Sequence, residues 1–471
     1  MKMFIAGQWV DKPQKIDVRS PFDNTVVDTV PKADVADVEK AVAGAVEGAK
    51  IMRAMPAYER YRILAKAARL MFDRREQLAR IISQEEGKIL GESLVEAARA
   101  AETIELSAEE AKRIYGEVLP LDAASHGTKK FGFTLRVPCG VVACITPFNF
   151  PLNLPCHKVG PALAAGNSVI LKPASDTPLS SLALVEILLE AGVPPPAIAC
   201  ITGSGSSIGD ALAGDPRIRK ISFTGSQAVG EHIMHKAGLK RITMELGSNC
   251  PVIVMDDADL NKAAEGIVAS GYSNAGQVCI SAQRVLAVPK VYSDLLDVLK
   301  PKVAALRTGN PLDSQTKMGP MIRQGDAERV QQWVGEAVSS GARIVTGGGR
   351  QGTMHEPTLV ADVSPKMRIS CDELFGPAVA VTAVDDIEQA ISLANDTRYG
   401  LSAAIFTENI GRALRFAREA DSGNIHINWG PQWRADFMPY GGLKDSGMGK
   451  EGPKYAIQEM TELKMVVVHG V

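Results

Sequence analysis

Cysteine 279 lies in AGQVCISAQR, residues 275–284, among small and apolar neighbours and three residues after a glycine. Such a thiol is either core packing or a nucleophile. A free thiol with a pKa of about 8.5 is only a few per cent thiolate near neutrality, so a nucleophile needs help. No histidine lies in the surrounding motifs. A nearby carboxylate or a helix N-terminus is the remaining means.

Three further residues and two glycine-bearing segments bear on that choice. Glu245 ends the run RITMEL, and a carboxyl among Met, Leu and Gly is poorly solvated. Poor solvation raises its pKa toward general-base work; a surface glutamate at a strand end is the alternative. Asn149, in TPFNFP, sits between aromatics and prolines, where a rigid amide donates to an oxyanion or caps a turn. Lys172, in LKPAS, follows a strand-like run and reaches either a ribose or phosphate group or plain solvent. KISFTGSQAVG carries Gly225 and Gly230, and GSGSSIG spans 203–209. A glycine at a strand end lets a helix N-terminus approach a phosphate, yet GxGxxG is absent here and structural turns read the same way.

The elements that must position these residues follow from periodicity. Residues 1–35 hold short strand-like runs with turn signals, and 36 to 115 is helical in pattern, with apolar residues at three- and four-residue steps. From 139 the rhythm changes. GVVACITP, SVILKP, IACIT, KISFTG and RITMEL read as strands. LSSLALVEILLEAG, SSIGDALAG and SQAVGEHIMHKAG read as helices, the first ending at Gly192. Strand and helix alternating through short connections imply a parallel sheet covered on both faces. After 250 the pattern repeats, with PVIVM, RVLAV, RIVTGG, AAIFT and NIHIN as strands. The segment 116–138 and the tail LKMVVVHGV are strand-like without local partners, so the tail is expected to pair with 116–138 or with another subunit.

Composition narrows the classes. The 471 residues suit two or three domains, with 45% hydrophobic and 23% charged residues. A net charge of −2 leaves no footprint for nucleic acid and no polybasic pull toward membranes. Seven cysteines (139, 144, 156, 200, 250, 279 and 371) without CxxC spacing indicate a reduced, cytoplasmic chain with no metal site. The N-terminal apolar run is too short for a signal peptide. The apolar region 139–171 is broken by prolines, Asn149, Asn153, His157 and Lys158, so it is expected to be buried core.

Taken in order, TPFNFP, LKPAS, FTGS, MELGSNCP, GQVCISAQR, ELFGP and MPYGGLKDSGMGKEG run from residue 146 to 452. This series resembles the aldehyde dehydrogenase superfamily over essentially the whole chain. The resemblance implies an α/β aldehyde dehydrogenase fold. Its expected parts are a Rossmann-like NAD(P)-binding domain (1–115 and 139–246), an α/β catalytic domain (247–440) and a β-strand oligomerisation arm (116–138 and 455–471). It implies Cys279 as nucleophile, Asn149 with the Cys279 backbone N–H as oxyanion hole, and Glu245 as the base that activates water against a thioester. Ile145, Thr146, Pro147, Phe148, Lys172, Ser175, Gly205, Gly225, Ser226, Gly247, Glu373 and Phe375 are implied to bind the cofactor. Glu451 matches a carboxylate proposed as a proton relay.

Phe148 stands where many members have tryptophan. Ser175 stands where NAD-strict members often have glutamate, which removes a charge that would repel a 2′-phosphate, so both NAD and NADP are expected to work. The wording AGQVCIS with RADFMPYGG is most similar to the branch acting on lactaldehyde, glycolaldehyde and small anionic aldehydes such as sulfolactaldehyde. Val278 argues against phosphonoacetaldehyde. Arg434 is expected to pair with an anionic group on the substrate, a guanidinium being suited to bidentate recognition; a surface or interface arginine is the alternative. The alternatives for function are a succinate-semialdehyde or other semialdehyde dehydrogenase, a CoA-acylating dehydrogenase, which typically lacks the base, and a non-catalytic relative. A homodimer or homotetramer is implied, with a small aldehyde as the only other partner.

Overall fold

The runs VVACI and SVILK are apolar throughout, as strands covered on both faces must be. In the computed structural model, which describes residues 1–470, they lie side by side and fully buried at the centre of an eight-stranded sheet. Five parallel strands form its middle, in the spatial order Ile198–Cys200, Ser168–Lys172, Val141–Ile145, Ile218–Thr224 and Arg241–Glu245. The first of these in the chain therefore lies in the middle, and the strand order reverses between Val141–Ile145 and Ile218–Thr224. Ligands of open α/β sheets bind outside the carboxyl ends of the strands at such a reversal. Here those ends lead into Thr146-Pro147-Phe148-Asn149 and Gly225-Ser226. Met3–Ile5 and Gly447–Met448 close the flanks of the parallel block antiparallel to it, with Gln8–Val10 outside Met3–Ile5.

A second, seven-stranded sheet takes Arg343–Thr346, Thr358–Ala361, Ala378–Ala383, Arg284–Ala287, Pro251–Val254, Ser402–Phe406 and Asn424–Ile427 in that order. It is parallel except for the edge strand Arg343–Thr346. Its loops carrying Cys250 and Cys279 precede the strands Pro251–Val254 and Arg284–Ala287. The catalytic candidates thus come from the carboxyl ends of the first sheet and the amino ends of the second.

The helical pattern of 36 to 115 resolves into four helices: Val35–Ala54, Ala57–Asp73, Arg75–Glu86 and Leu90–Ala111. Asp34 caps the first with a reciprocal capping box to Asp37. Asn153–Ala164 is a helix that periodicity does not reveal, because nearly every residue of it is buried and no polar face remains to mark the 3.6-residue repeat. Helix Leu179–Ala191 ends at Gly192, whose φ of 115° is left-handed.

The tail does find the 116–138 segment. Thr461–His469 pairs antiparallel with Lys130–Pro138 over its whole length, and Val118–Leu119 adds a third strand. Helix Pro453–Glu459 precedes that tail strand, so the strand itself starts at Thr461. Val471 lies outside the described residues. Among the described residues no helix is long and apolar enough to cross a membrane, and no cluster of His, Cys, Asp and Glu could hold a metal ion.

Candidate active site

The loop that carries Cys279 is forced into shape by its backbone. Asn274, Ala275 and Gly276 have φ of 50°, 53° and 69°, three left-handed residues in succession. Such strain persists only where neighbours enforce it. Here the Asn274 N–H donates to Glu92 Oε2, and its amide donates to Glu86 Oε1 and the Asn149 carbonyl. Gly276 admits no side chain, since a Cβ would lie 2.1 Å from the Gly376 carbonyl oxygen. The turn delivers Gln277, Val278 and Cys279 against the Asn149 loop, where Asn149 Nδ2 donates to the Gln277 carbonyl at 2.9 Å. One amide hydrogen of Asn149 remains beyond that bond, and its Oδ1 has no partner. No helix begins at Cys279 itself; its loop runs from the turn Ser273–Gly276 to the strand Arg284–Ala287. Burial pushes the thiol up to about 12, partly offset by a hydrogen bond to Tyr440.

Two cavities meet at this thiol. One, of about 520 Å³, is lined by Pro147, Phe148, Asn149, Gly225, Ser226, Gly247, Glu373 and Phe375. The other, of about 400 Å³, is lined by Lys88, Glu92, Glu96, Arg99, Phe150, Gln432, Arg434, Tyr440 and Glu451. Cys279, Glu245, Leu154, Thr224 and Leu246 belong to both. Glu245, ending its strand at the shared wall, is buried with neither carboxyl oxygen hydrogen-bonded. Burial, then the charge of Glu451, holds its pKa well above the ordinary range, which favours the neutral form.

Aldedh, the aldehyde dehydrogenase family, matches residues 9–466. A 3-sulfolactaldehyde dehydrogenase of Priestia aryabhattai is 46% identical over 467 residues, covering 99% of this chain and 98% of the relative. A glutarate-semialdehyde dehydrogenase of Pseudomonas putida is 39% identical over 470 residues, with 99% and 97% covered. An NADP-dependent enzyme of E. coli superposes with a TM-score of 0.97 at 38% identity, covering 99% of this chain and 98% of that one. The NADP complex of an NADP-dependent glyceraldehyde-3-phosphate dehydrogenase from Bacillus halodurans gives 0.97 at 36%, with 100% and 99% covered. The chain belongs to the aldehyde dehydrogenase family. It is therefore an oxidoreductase with the aldehyde dehydrogenase fold.

The first cavity of this dehydrogenase suits a dinucleotide. Helix Gln227–Ala237 points its N-terminus at it, and Ser226 there makes no side-chain cap, so the first N–H groups are free for an anion. Gly247 is required by close approach: a Cβ would sit 2.2 Å from Glu373 Oε2, while Glu373 accepts from the Ser248 N–H at 2.9 Å. Burial pushes Glu373 up to about 7. Phe375, with a left-handed φ of 47°, sets its ring edge-on to Phe148 at 6.0 Å. Lys172, Ser175 and Gly205 lie beyond this cavity, on the next strand ends. Ser175 Oγ donates to the Gly203 carbonyl, which joins the Lys172 and Gly205 turns. Lys172 is buried with only the Pro173 carbonyl as acceptor, and burial lowers its pKa to about 8. Ile145 and Thr146 are buried in the strand end and its exit, behind the lining residues.

Sequence reasoning missed the charged floor of the second cavity. Lys158 Nζ donates to Glu451 Oε1 at 2.8 Å, and both Arg434 Nη atoms donate to Glu451 Oε2 at 3.2 Å. Arg434 Nη2 also donates to His157 Nδ1, and His157 Nε2 lies 2.8 Å from Asp436 Oδ1. Burial and the charge of Arg434 lower the His157 pKa, which fixes it as a neutral ring donating from Nε2. Arg99 grips Asp436 through Nε and Nη2. Lys158 and His157 come from the hidden helix, which is why no surface pattern announced them.

Two expectations change. Arg434 is no free bidentate anion reader, because its Nη edge is committed to Glu451 and its guanidinium lies over the Tyr440 ring at 3.8 Å; its Nε alone lacks a partner. Glu451 is ill-suited to relay protons. Burial raises its pKa, but Lys158 and Arg434 outweigh that and hold it at about 2, so a proton resting there would have to break two ion pairs.

Proposed function

We propose that the chain oxidises a small hydroxy- or anionic aldehyde, of lactaldehyde, glycolaldehyde or sulfolactaldehyde type, to the carboxylic acid with NAD or NADP. The observation that carries this reading is the shared wall: Cys279 and Glu245 stand between a dinucleotide-shaped cavity and a separate, smaller cavity. Cys279 sulfur attacks the aldehyde carbon from the second cavity. The carbonyl electron pair moves to oxygen, held by the free Asn149 amide hydrogen and the Cys279 N–H. Residues of the first cavity, Phe148, Ser226 and Glu373 among them, would hold the nicotinamide cofactor, which would supply the hydride acceptor as the carbonyl re-forms as a thioester. Glu245, once deprotonated, takes a proton from water as that water attacks the thioester, and the sulfur leaves. Its presence at the junction favours water over CoA as acyl acceptor.

The second cavity is lined mostly by apolar surface, but three cations reach it, which supports a small anionic or hydroxylated substrate. Lys88, Arg99 and Arg434 line it, faced by Glu96, Asp436 and Glu451. Arg99 spends Nε and Nη2 on Asp436, which leaves its Nη1 as a donor for a substrate anion. The relative named for sulfolactaldehyde has 46% identity, against 39% for that named for glutarate semialdehyde. Both faces of the three-stranded sheet expose apolar side chains, Phe131, Leu135 and Val468 on one and Leu463, Met465 and Val467 on the other, which supports assembly of the chain through that arm.

The test is kcat/KM with each cofactor over lactaldehyde, glycolaldehyde, sulfolactaldehyde, succinate semialdehyde and propanal, for the wild type and Arg99→Ala. The anionic aldehydes are expected to lead, and the variant to lower them more than the neutral ones. A preference for propanal, or a variant that scales every substrate alike, would reject the anionic assignment.

A further inference from the structure

Cys279 needs a source of thiolate stabilisation, and the acidic groups nearest it do not provide one. Around its sulfur stand Cys250, Glu245 and Glu373, all acids whose charged forms oppose a thiolate. Among the described residues, the side-chain hydrogen bond to Sγ is that of the Tyr440 hydroxyl, at 3.3 Å. We propose that Tyr440 is a further catalytic residue of this dehydrogenase, its O–H donating to the Cys279 sulfur whenever that sulfur carries charge.

The placement of Tyr440 is over-determined. Its backbone pairs with that of Glu451 in both directions, N–H to carbonyl at 3.2 Å and 2.7 Å. Its ring packs with Cys250, Val278, Ile280 and Leu401. Glu451, anchored by Lys158, in turn holds the Arg434 guanidinium over the ring face. A cation on the π face draws electron density from the phenol and strengthens its hydroxyl as a donor. Arg434 is thereby a positioning residue, which accounts for a buried arginine that spends its Nη edge on an internal carboxylate.

The direction of the bond follows from the phenol: burial and the neighbouring Cys279 hold the Tyr440 hydroxyl well above its ordinary range, so Tyr440 keeps its hydrogen and a charged sulfur accepts. The thiol proton passes to water in the cavity. On attack the sulfur pair becomes the C–S bond and the interaction with Tyr440 weakens. When the thioester is hydrolysed the C–S pair returns to sulfur, and the same O–H receives the leaving thiolate.

This inference rests on Cys279 being the nucleophile, and the experiment separates the two. The exposed Cys371 is first replaced by serine. Alkylation of Cys279 by iodoacetamide is then followed against pH in that background, with and without Tyr440→Phe, by mass spectrometry of the Cys279 peptide. Phenylalanine keeps the ring under Arg434 and removes only the hydroxyl. The midpoint of the alkylation profile is expected to rise by about one pH unit, a tenfold loss of thiolate worth about 1.4 kcal/mol, with kcat falling and cofactor affinity unchanged. An unmoved midpoint with an unchanged melting temperature overturns the role of Tyr440 alone. Full dehydrogenase activity in Cys279→Ser overturns the nucleophile and this inference together.

Discussion

Replacing Glu245 with glutamine isolates one step of the reaction. In the folded chain both carboxyl oxygens lack hydrogen-bond partners, and burial with the neighbouring Glu451 charge raises the pKa and favours the neutral form. Glutamine therefore exchanges one neutral, unpartnered polar group for another of the same shape, and no hydrogen bond is lost. In the proposed mechanism nucleophilic attack and hydride transfer use Cys279 and Asn149, and both should survive. Water attack on the thioester loses its base, and a positioned base contributes roughly 10²–10⁴-fold. Rapid mixing with excess aldehyde and cofactor should show one equivalent of reduced nicotinamide per active site, then a steady rate lower by about that factor. Wild-type kcat should rise with pH as Glu245 deprotonates, and the variant should lack that limb. Stability gives an independent reading. A carboxyl whose folded pKa is raised stabilises fully below its unfolded value, and that contribution is lost as pH rises through the folded value. The melting temperature of the wild type should therefore fall relative to Glu245→Gln as pH increases from about 4 upward. A variant with undiminished steady turnover would refute the base assignment. A variant without a burst would place Glu245 before hydride transfer and refute the order of steps.

Other expectations are as direct. Asn149→Ala removes the amide that holds the oxyanion and the bond to the Gln277 carbonyl, so kcat should fall by about 10²–10³ while cofactor binding persists; fluorescence titration with the cofactor separates the two. Ser175→Glu places a carboxylate beside Lys172 and severs the bond to Gly203. KM for NADP should rise by about tenfold or more while that for NAD changes little, and equal shifts in both would show that the 2′-phosphate is not read here.

The strand-helix alternation from 139 onward was legible because buried parallel strands such as VVACI and SVILK are apolar end to end, and short turns separate them from helices. Motif order likewise pointed to Cys279, Glu245 and Asn149, since the chemistry of each depends on its own side chain and immediate neighbours. The helix Asn153–Ala164 escaped because burial on all sides erases amphipathic period, and with it went Lys158 and His157. Glu451 and Arg434 were named, but their roles were assigned as if each stood alone. The fold brings Lys158, His157, Arg434, Asp436 and Glu451 from segments up to 294 positions apart into one floor, where each charge answers to the others and not to the bulk. The same convergence puts the Tyr440 hydroxyl on the Cys279 sulfur across 161 positions. Local sequence determines which groups are chemically able; long-range packing determines which are desolvated, which are already paired, and hence which remain free to act.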